Sequence, residues 1–260
     1  MAEHTQLNDA IDIRTTTRAY DPEAIAEDQA RQLSTTIEAV NTLSGLHLQL
    51  IRDCPDVFAQ ANASGHFTNA RNFIAVVGPK HSSEGKERAG FYAERIVLAA
   101  TLYGLGTGWV AGSWDATAAA AHCSIDDDEE LYLGITIGNP QEHMRHLSSA
   151  FESLSAAQRD HRDSISVEEA IPGMTPDELD SAPDYLIKGV RAALKAPSAM
   201  NRQPIRFSYD PQSGEVRAGF APEATGDHLF NDLGIAKLHF QIGAGGGTWQ
   251  WGEGAPFIRA

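Results

Sequence analysis

Two short stretches of this chain recur in the same order farther along it. Ser44-Gly45-Leu46-His47-Leu48-Gln49-Leu50-Ile51 lies over Ser198-Ala199-Met200-Asn201-Arg202-Gln203-Pro204-Ile205, with Ser, Gln and Ile coinciding. Later, Phe91 running to Gly106-Thr107-Gly108-Trp109 resembles Phe230 running to Gly246-Gly247-Thr248-Trp249. An ordered pair of echoes points to an internal duplication. A duplicated chain can build within itself the pseudo-two-fold interface for which a homodimer needs two chains. The expected division is a first half over 1–165 and a shorter second half over 166–260, folded as one compact unit.

A length of 260 residues suffices for one large domain or two small ones. The net charge of −15 argues against nucleic acid, which needs Lys and Arg to displace counterions. It argues equally against an anionic membrane surface. The two cysteines, Cys54 and Cys123, lie far apart with no CxxC or zinc spacing, so neither a disulfide framework nor a metal site is expected. No apolar run reaches the ~18 residues of a membrane span, and no signal peptide opens the chain. The expectation is a cytoplasmic protein, monomeric as a pseudo-dimer or homodimeric, acting on a small molecule.

Periodicity predicts helices over 7–18 and 23–40, a half-buried strand in GLHLQLI (45–51) and a buried strand in NFIAVVGP (72–79). A helix through Phe91, Ile96, Ala99, Ala100 and Tyr103 ends at Gly104. LYLGITIG (131–138) reads as a strand, and 141–162 as an extended helical connector. A second helix, loop and strand follow over 184–209, then a helix in NDLGIAKLHFQIGA and a Gly-rich tail.

Three segments suit ligand chemistry. Arg14-Thr15-Thr16-Thr17-Arg18 concentrates guanidinium and hydroxyl groups in an acidic chain. Such groups suit a phosphate monoester, since each Arg can donate two parallel hydrogen bonds. The plainer reading is a solvated helix end paired with Asp9, Asp12 or Asp21. GLGTGWVAGSW (104–114) would let a ligand approach the backbone closely. It follows a helix, so it is no dinucleotide fingerprint, and a helix cap with a turn explains Gly104 alone. In KAPSAMNRQPIRF (195–207), Pro197 and Pro204 stiffen a loop whose Ser198 and Asn201 both donate and accept. That suits reading a polar heterocycle, and no nucleophile elbow or Cys–His pair accompanies it.

Together these segments resemble the FMN-dependent nitroreductase family. RTTTRAY is similar to that family's Arg-Arg-Ser-x-Arg-x-Phe start, APSAMNRQPIRF to its Ala-Pro-Ser-x-x-Asn-x-Gln-Pro-Trp-Arg-Phe loop, and GLGTGWVAG to its Gly-Leu-Gly-Thr-Cys-Trp-x-Gly-Gly turn. The Pro-Ser loop comes after the Gly-rich turn here, as in the duplicated, single-chain branch. The resemblance implies an α+β fold with a central mixed β-sheet flanked by helices. It implies FMN gripped at its phosphate by Arg14, Thr15, Thr16 and Arg18, with Arg162 and Arg159 closing the same phosphate. The backbone of Trp109, Val110, Ala111 and Gly112 would line the ring, and Pro197, Ser198, Ala199 and Asn201 would meet the ring and ribityl chain. Thr15, Gly108 and Ile205 depart from the family's Arg, Cys and Trp. The implied reaction is ping-pong hydride transfer from NADH or NADPH through flavin N5 to a nitroaromatic, quinone or similar acceptor, with no side chain as acid or base. The alternative is a flavin-sequestering protein with little turnover.

Overall fold

The computed structural model describes residues 2–141 and 164–259. The chain forms two compact units interleaved along the sequence. One comprises Ile13–Gly85 and Arg95–His161; the other comprises Met1–Asp12, Lys86–Glu94 and Arg162–Ala260.

The first unit carries a four-stranded antiparallel sheet in the order β1-β2-β4-β3, built from β1 (Gln49–Ile51), β2 (Phe73–Pro79), β3 (Gly106–Val110) and β4 (Glu129–Gly138). Phe73 to Gly78 are all buried, which is why β2 is a continuous apolar run rather than an alternating one. α1 (Ala2–Ile13), which up to Asp12 belongs to the second unit, opens the chain, and α2 (Glu27–Ser44) buries Ala30, Leu33, Ile37 and Val40, a three-to-four-residue stripe. α2 ends where Gly45 takes a left-handed φ of 69°. The sequence placed this helix four residues too early, because Ala26 is still extended. β1 is shorter than expected. The Asn41 side chain both donates to the Leu48 carbonyl and accepts from its N–H, each at 2.9 Å, so the amide takes over backbone groups a longer strand would use. A 3-10 turn (Pro55–Phe58), α3 (Ala59–Ala63) and α5 (Ala116–Ala121) cover this sheet, with Phe58, Phe67, Phe73 and Trp114 packed edge to face or tilted. Between β2 and β3 runs α4 (Ser83–Leu102), whose stretch Lys86–Glu94 belongs to the second unit.

The second unit holds α6 (Val167–Ala170), α7 (Pro176–Asp180), α8 (Asp184–Ala193) and α9 (Leu229–Gly243). Its antiparallel sheet runs in the order β5-β6-β8-β7, from β5 (Ile205–Asp210), β6 (Glu215–Phe220), β7 (Thr248–Trp249) and β8 (Pro256–Ile258). α9 is buried over most of its surface, including Asn231, Asp232, Lys237 and His239. It packs closely on the Lys86–Glu94 segment. A Cβ on Gly90 would lie 2.0 Å from the Asn231 carbonyl oxygen, and one on Gly234 would lie 1.9 Å from that of Glu87. Two fully buried polar pairs join the same helices. Lys237 donates to Glu87 at 2.5 Å, and His239 meets Glu94 at 2.9 Å. Lys237 also donates to the carbonyls of Gln250 and Gly252. Burial pulls its pKa down while Glu87 opposes the shift.

The α+β class holds, but the single mixed sheet does not: two separate antiparallel sheets replace it. Among the described residues, parallel pairing is confined to the isolated bridges Thr16↔Thr107 and Ala19↔Thr68. In each sheet the four strands, taken in chain order, lie 1-2-4-3, with a long helix between the second and third. Trp109 and Trp249, aligned by the sequence echo, both sit in the third strand and pair with the fourth.

Candidate functional site

Residues 14–18 are not helical. α1 stops at Ile13, and the segment runs extended alongside β3. Thr17 donates its N–H to the Thr107 carbonyl at 2.8 Å, and the Tyr20 hydroxyl donates to the Thr17 carbonyl at 2.9 Å. The helix expected over 7–18 therefore ends before Arg14 and Arg18, and Thr16 forms a parallel bridge with Thr107. Arg14 is 5% exposed and Thr17 4% exposed, whereas Arg18 is exposed. Asp12, the acid nearest in sequence, instead pairs with Lys195.

The Gly-rich stretch is a strand rather than the expected turn. A Cβ on Gly106 would fall 2.5 Å from Thr17 Oγ1, and one on Gly108 would fall 2.9 Å from the Thr17 carbonyl oxygen. These two glycines thus let the Arg-Thr segment lie directly on the strand. Gly112 is different, with no atom within 4 Å of a Cβ placed there. The ladder with β4 ends at Val110↔Gly134, so Ala111 and Gly112 lie beyond it and are exposed. Trp114 donates its indole N–H to the Ala111 carbonyl at 2.9 Å and fixes that corner. Trp109 is half-buried and Val110 buried.

In the second unit the Pro197–Asn201 loop links α8 to β5. The Ser198 hydroxyl accepts from the Gln203 N–H at 2.9 Å, and the Gln203 side-chain oxygen accepts from the Ile165 N–H at 3.0 Å. Met200, Asn201 and Gln203 all have left-handed φ, at 53°, 53° and 48°. Such positions cost about 1–3 kcal/mol for residues other than glycine, though least for Asn, and persist only where surroundings enforce them. Met200 is 76% exposed at the loop's tip. The Asp232 carboxyl, on α9, accepts from the Ala199 N–H with both oxygens at 3.2 Å. Burial pushes its pKa up to about 7, against the lowering effect of that hydrogen bond. A cavity of about 380 Å³ opens beside the loop, lined in part by Ala199, Arg202, Gln203, His228 and Asp232. That volume is in the range of small-molecule sites.

The fold therefore brings the Arg-Thr segment together with the Gly-rich strand, and the Pro-Ser loop together with Asp232. Arg159 and Arg162 lie outside the described residues. Sequence reasoning missed Asp232. The available signal was an acid inside NDLGIAKLHF, a helix otherwise apolar enough to be core. Among the described residues, no helix is long and apolar enough to cross a membrane.

The family model described as "Putative TM nitroreductase" matches residues 6–244. No curated protein matches the chain. A solved structure from Thermotoga maritima, described in like terms, aligns over 96% of this chain and 91% of its own, at 18% identity and a TM-score of 0.62. That similarity shows a shared fold. Smaller overlaps occur with an FMN complex from Desulfovibrio desulfuricans (21% identity, 52% of this chain and 87% of that one, TM-score 0.41). NfnB of Mycobacterium smegmatis, solved with NADPH, overlaps similarly (15% identity, 54% and 90%, TM-score 0.44). The match across residues 6–244 takes in both the Arg-Thr segment and the Pro-Ser loop, and the chain belongs to this TM nitroreductase family.

Proposed function

We propose that the protein is an FMN-dependent NAD(P)H oxidoreductase. When bound, FMN would supply hydride acceptance from the nicotinamide and electron delivery to a nitroaromatic, quinone or similar acceptor. The observation that carries this reading is the family match over 6–244, which spans both motif-bearing segments.

The residues present suit such a cofactor. Arg14, Thr15, Thr16 and Arg18 supply cationic and hydroxyl groups for its phosphate, with Arg159 and Arg162 proposed alongside them. Burial of Arg14 strengthens its charge-assisted hydrogen bonding, because water competes less there. The open space at Gly112 and the exposed backbone at Ala111 suit the approach of a flat ring, with Trp109 and Val110 behind them. Pro197, Ser198, Ala199 and Asn201 are assigned to reading the ring's polar edge. Asn201 takes its left-handed backbone without glycine, which Asn tolerates better than most residues. No side chain is assigned as a proton donor or base. The common 1-2-4-3 strand order supports the proposed internal duplication, in which one chain carries both copies of an ancestral half.

The experiment is anaerobic spectroscopy on the purified chain. Flavin absorbance lost on adding NADH or NADPH and restored by menadione or a nitrofuran supports the oxidoreductase. Flavin that neither nucleotide bleaches would replace it with a sequestering role.

A further inference from the structure

A cluster of thiol, carboxyl and imidazole side chains shares no residue with those assigned to flavin. Cys54, Asp56 and His122 each offer one donor atom, and all three donors lie within 4.8 Å of one another. No local motif announces them, since they come from two segments well separated in sequence. The fold makes the meeting. Cys54 precedes the 3-10 turn and is anchored by its N–H to the Arg71 carbonyl at 2.7 Å. Asp56 lies within that turn, and His122 caps the C-terminus of α5. The two pieces are tied together where Asp115 donates its N–H to the Val57 carbonyl at 2.9 Å. Both also share one core, through the buried Val57, Phe58 and Ala119.

We infer that Cys54, Asp56 and His122 form a site for a borderline-soft divalent cation of the Zn²⁺ type. The donor set is one thiolate, one carboxylate and one imidazole, which suits Zn²⁺ and excludes Mg²⁺ or Ca²⁺, ions that take oxygen donors. Thiolate and carboxylate together balance a divalent charge. Tetrahedral zinc bonds of about 2.0–2.3 Å hold donors closer together than 4.8 Å but farther apart than a hydrogen bond, so the thiol would draw in and the Asp56–His122 pair would open on binding. The His122 imidazole and Asp56 carboxylate already touch, at 2.9 Å. The Cys54 thiol, buried at 5% exposure, donates only weakly to the Arg52 carbonyl at 3.4 Å. On binding, the metal takes the place of the thiol proton, which leaves to solvent. Three protein donors leave the fourth tetrahedral position open on the side where Asp56 and His122 are exposed.

The test is titration of the full, chelator-stripped chain with Co²⁺, a coloured substitute for Zn²⁺, against Cys54→Ser and His122→Ala. Both changes are mild for the fold: Ser keeps a small side chain at position 54, and His122 lies at the surface. Thermal melts of the stripped proteins confirm that they fold alike. The wild type is expected to bind Co²⁺ at 1:1 with thiolate charge-transfer and tetrahedral ligand-field bands, reversed by Zn²⁺. Each variant should lose affinity by more than the ~10–100-fold typical of changes to outer-sphere partners, and Cys54→Ser should lose the charge-transfer band. Cys123→Ala, whose thiol bonds to the Ala119 carbonyl instead, should bind as the wild type does. Absence of the bands would overturn the site. So would binding that survives unchanged in both variants, which would assign the metal to other histidines.

Discussion

Gly106→Ala is the sharpest probe of how the Arg-Thr segment is held. The new methyl would fall 2.5 Å from Thr17 Oγ1, 2.7 Å from its Cγ2 and 2.8 Å from its Cβ. Thr17 is 4% exposed and tied to β3 and Tyr20 through its backbone, so it has little room to swing aside. Overpacking of this kind costs about 1–3 kcal/mol. In a chain this size each kcal/mol lowers the melting temperature by roughly 2–4 °C. Displacement of residues 14–18 should also weaken FMN retention, because Arg14 and Arg18 lie on that segment. The assay is a double-mutant cycle with Thr17→Gly, which removes all three clashing atoms. Thermal melts and FMN titrations of the single and double variants should show Gly106→Ala to be less harmful in the Thr17→Gly background. Neighbours in contact typically couple by about 0.5–3 kcal/mol. Additive effects, or an unperturbed single variant, would refute the packing of this segment on β3 and with it the account of Gly106.

Other outcomes follow from the same contacts. Arg14→Ala and Arg18→Ala should each shed FMN on dialysis more readily than the wild type, and equal retention would remove their phosphate role. Asp232 has a folded pKa raised to about 7 from an ordinary carboxylate value, so the folded state holds its proton more tightly. Its share of stability is present at low pH and is lost as pH rises from the ordinary carboxylate range through about 7. Melting temperatures across that window should therefore fall less in Asp232→Asn than in the wild type; parallel curves would contradict the assignment. Glu87→Gln strands the Lys237 ammonium in a fully buried position and should cost about 3–5 kcal/mol by chemical denaturation. Gly90→Ala should also destabilise, since its Cβ would overlap the Asn231 backbone.

Several elements were legible before the coordinates because their signals are local. β2, β4, α8 and β5 fall close to where apolar runs and helical periodicity place them. Of the two echoes, the second has a structural counterpart: Trp109 and Trp249 each occupy the third strand of a sheet with the same strand order. What escaped depends on distant partners. β3 reads as a turn because its glycines suit either structure, and it is the distant partners, β4 paired along it and Thr17 lying on its glycines, that select the strand. β6 carries Arg217 and Gly219 among its apolar residues, while β7 and β8 are too short to show a period. The Arg-Thr segment looked helical because the helical period of α1 runs up to it, yet the Thr17 N–H goes to Thr107 in β3 and the Arg18 carbonyl accepts from the Thr68 N–H. The Pro-Ser loop was singled out by its own residue types. Asp232 was not, because its role rests on one backbone N–H some thirty residues away. The Cys54, Asp56 and His122 cluster was invisible for the same reason.

The most direct test of the central claim is the flavin content of the purified chain, followed anaerobically through reduction. The account predicts a yellow protein with FMN at 1:1, bleached by NADH or NADPH and recoloured by a quinone. A colourless protein that takes up no added FMN would contradict it.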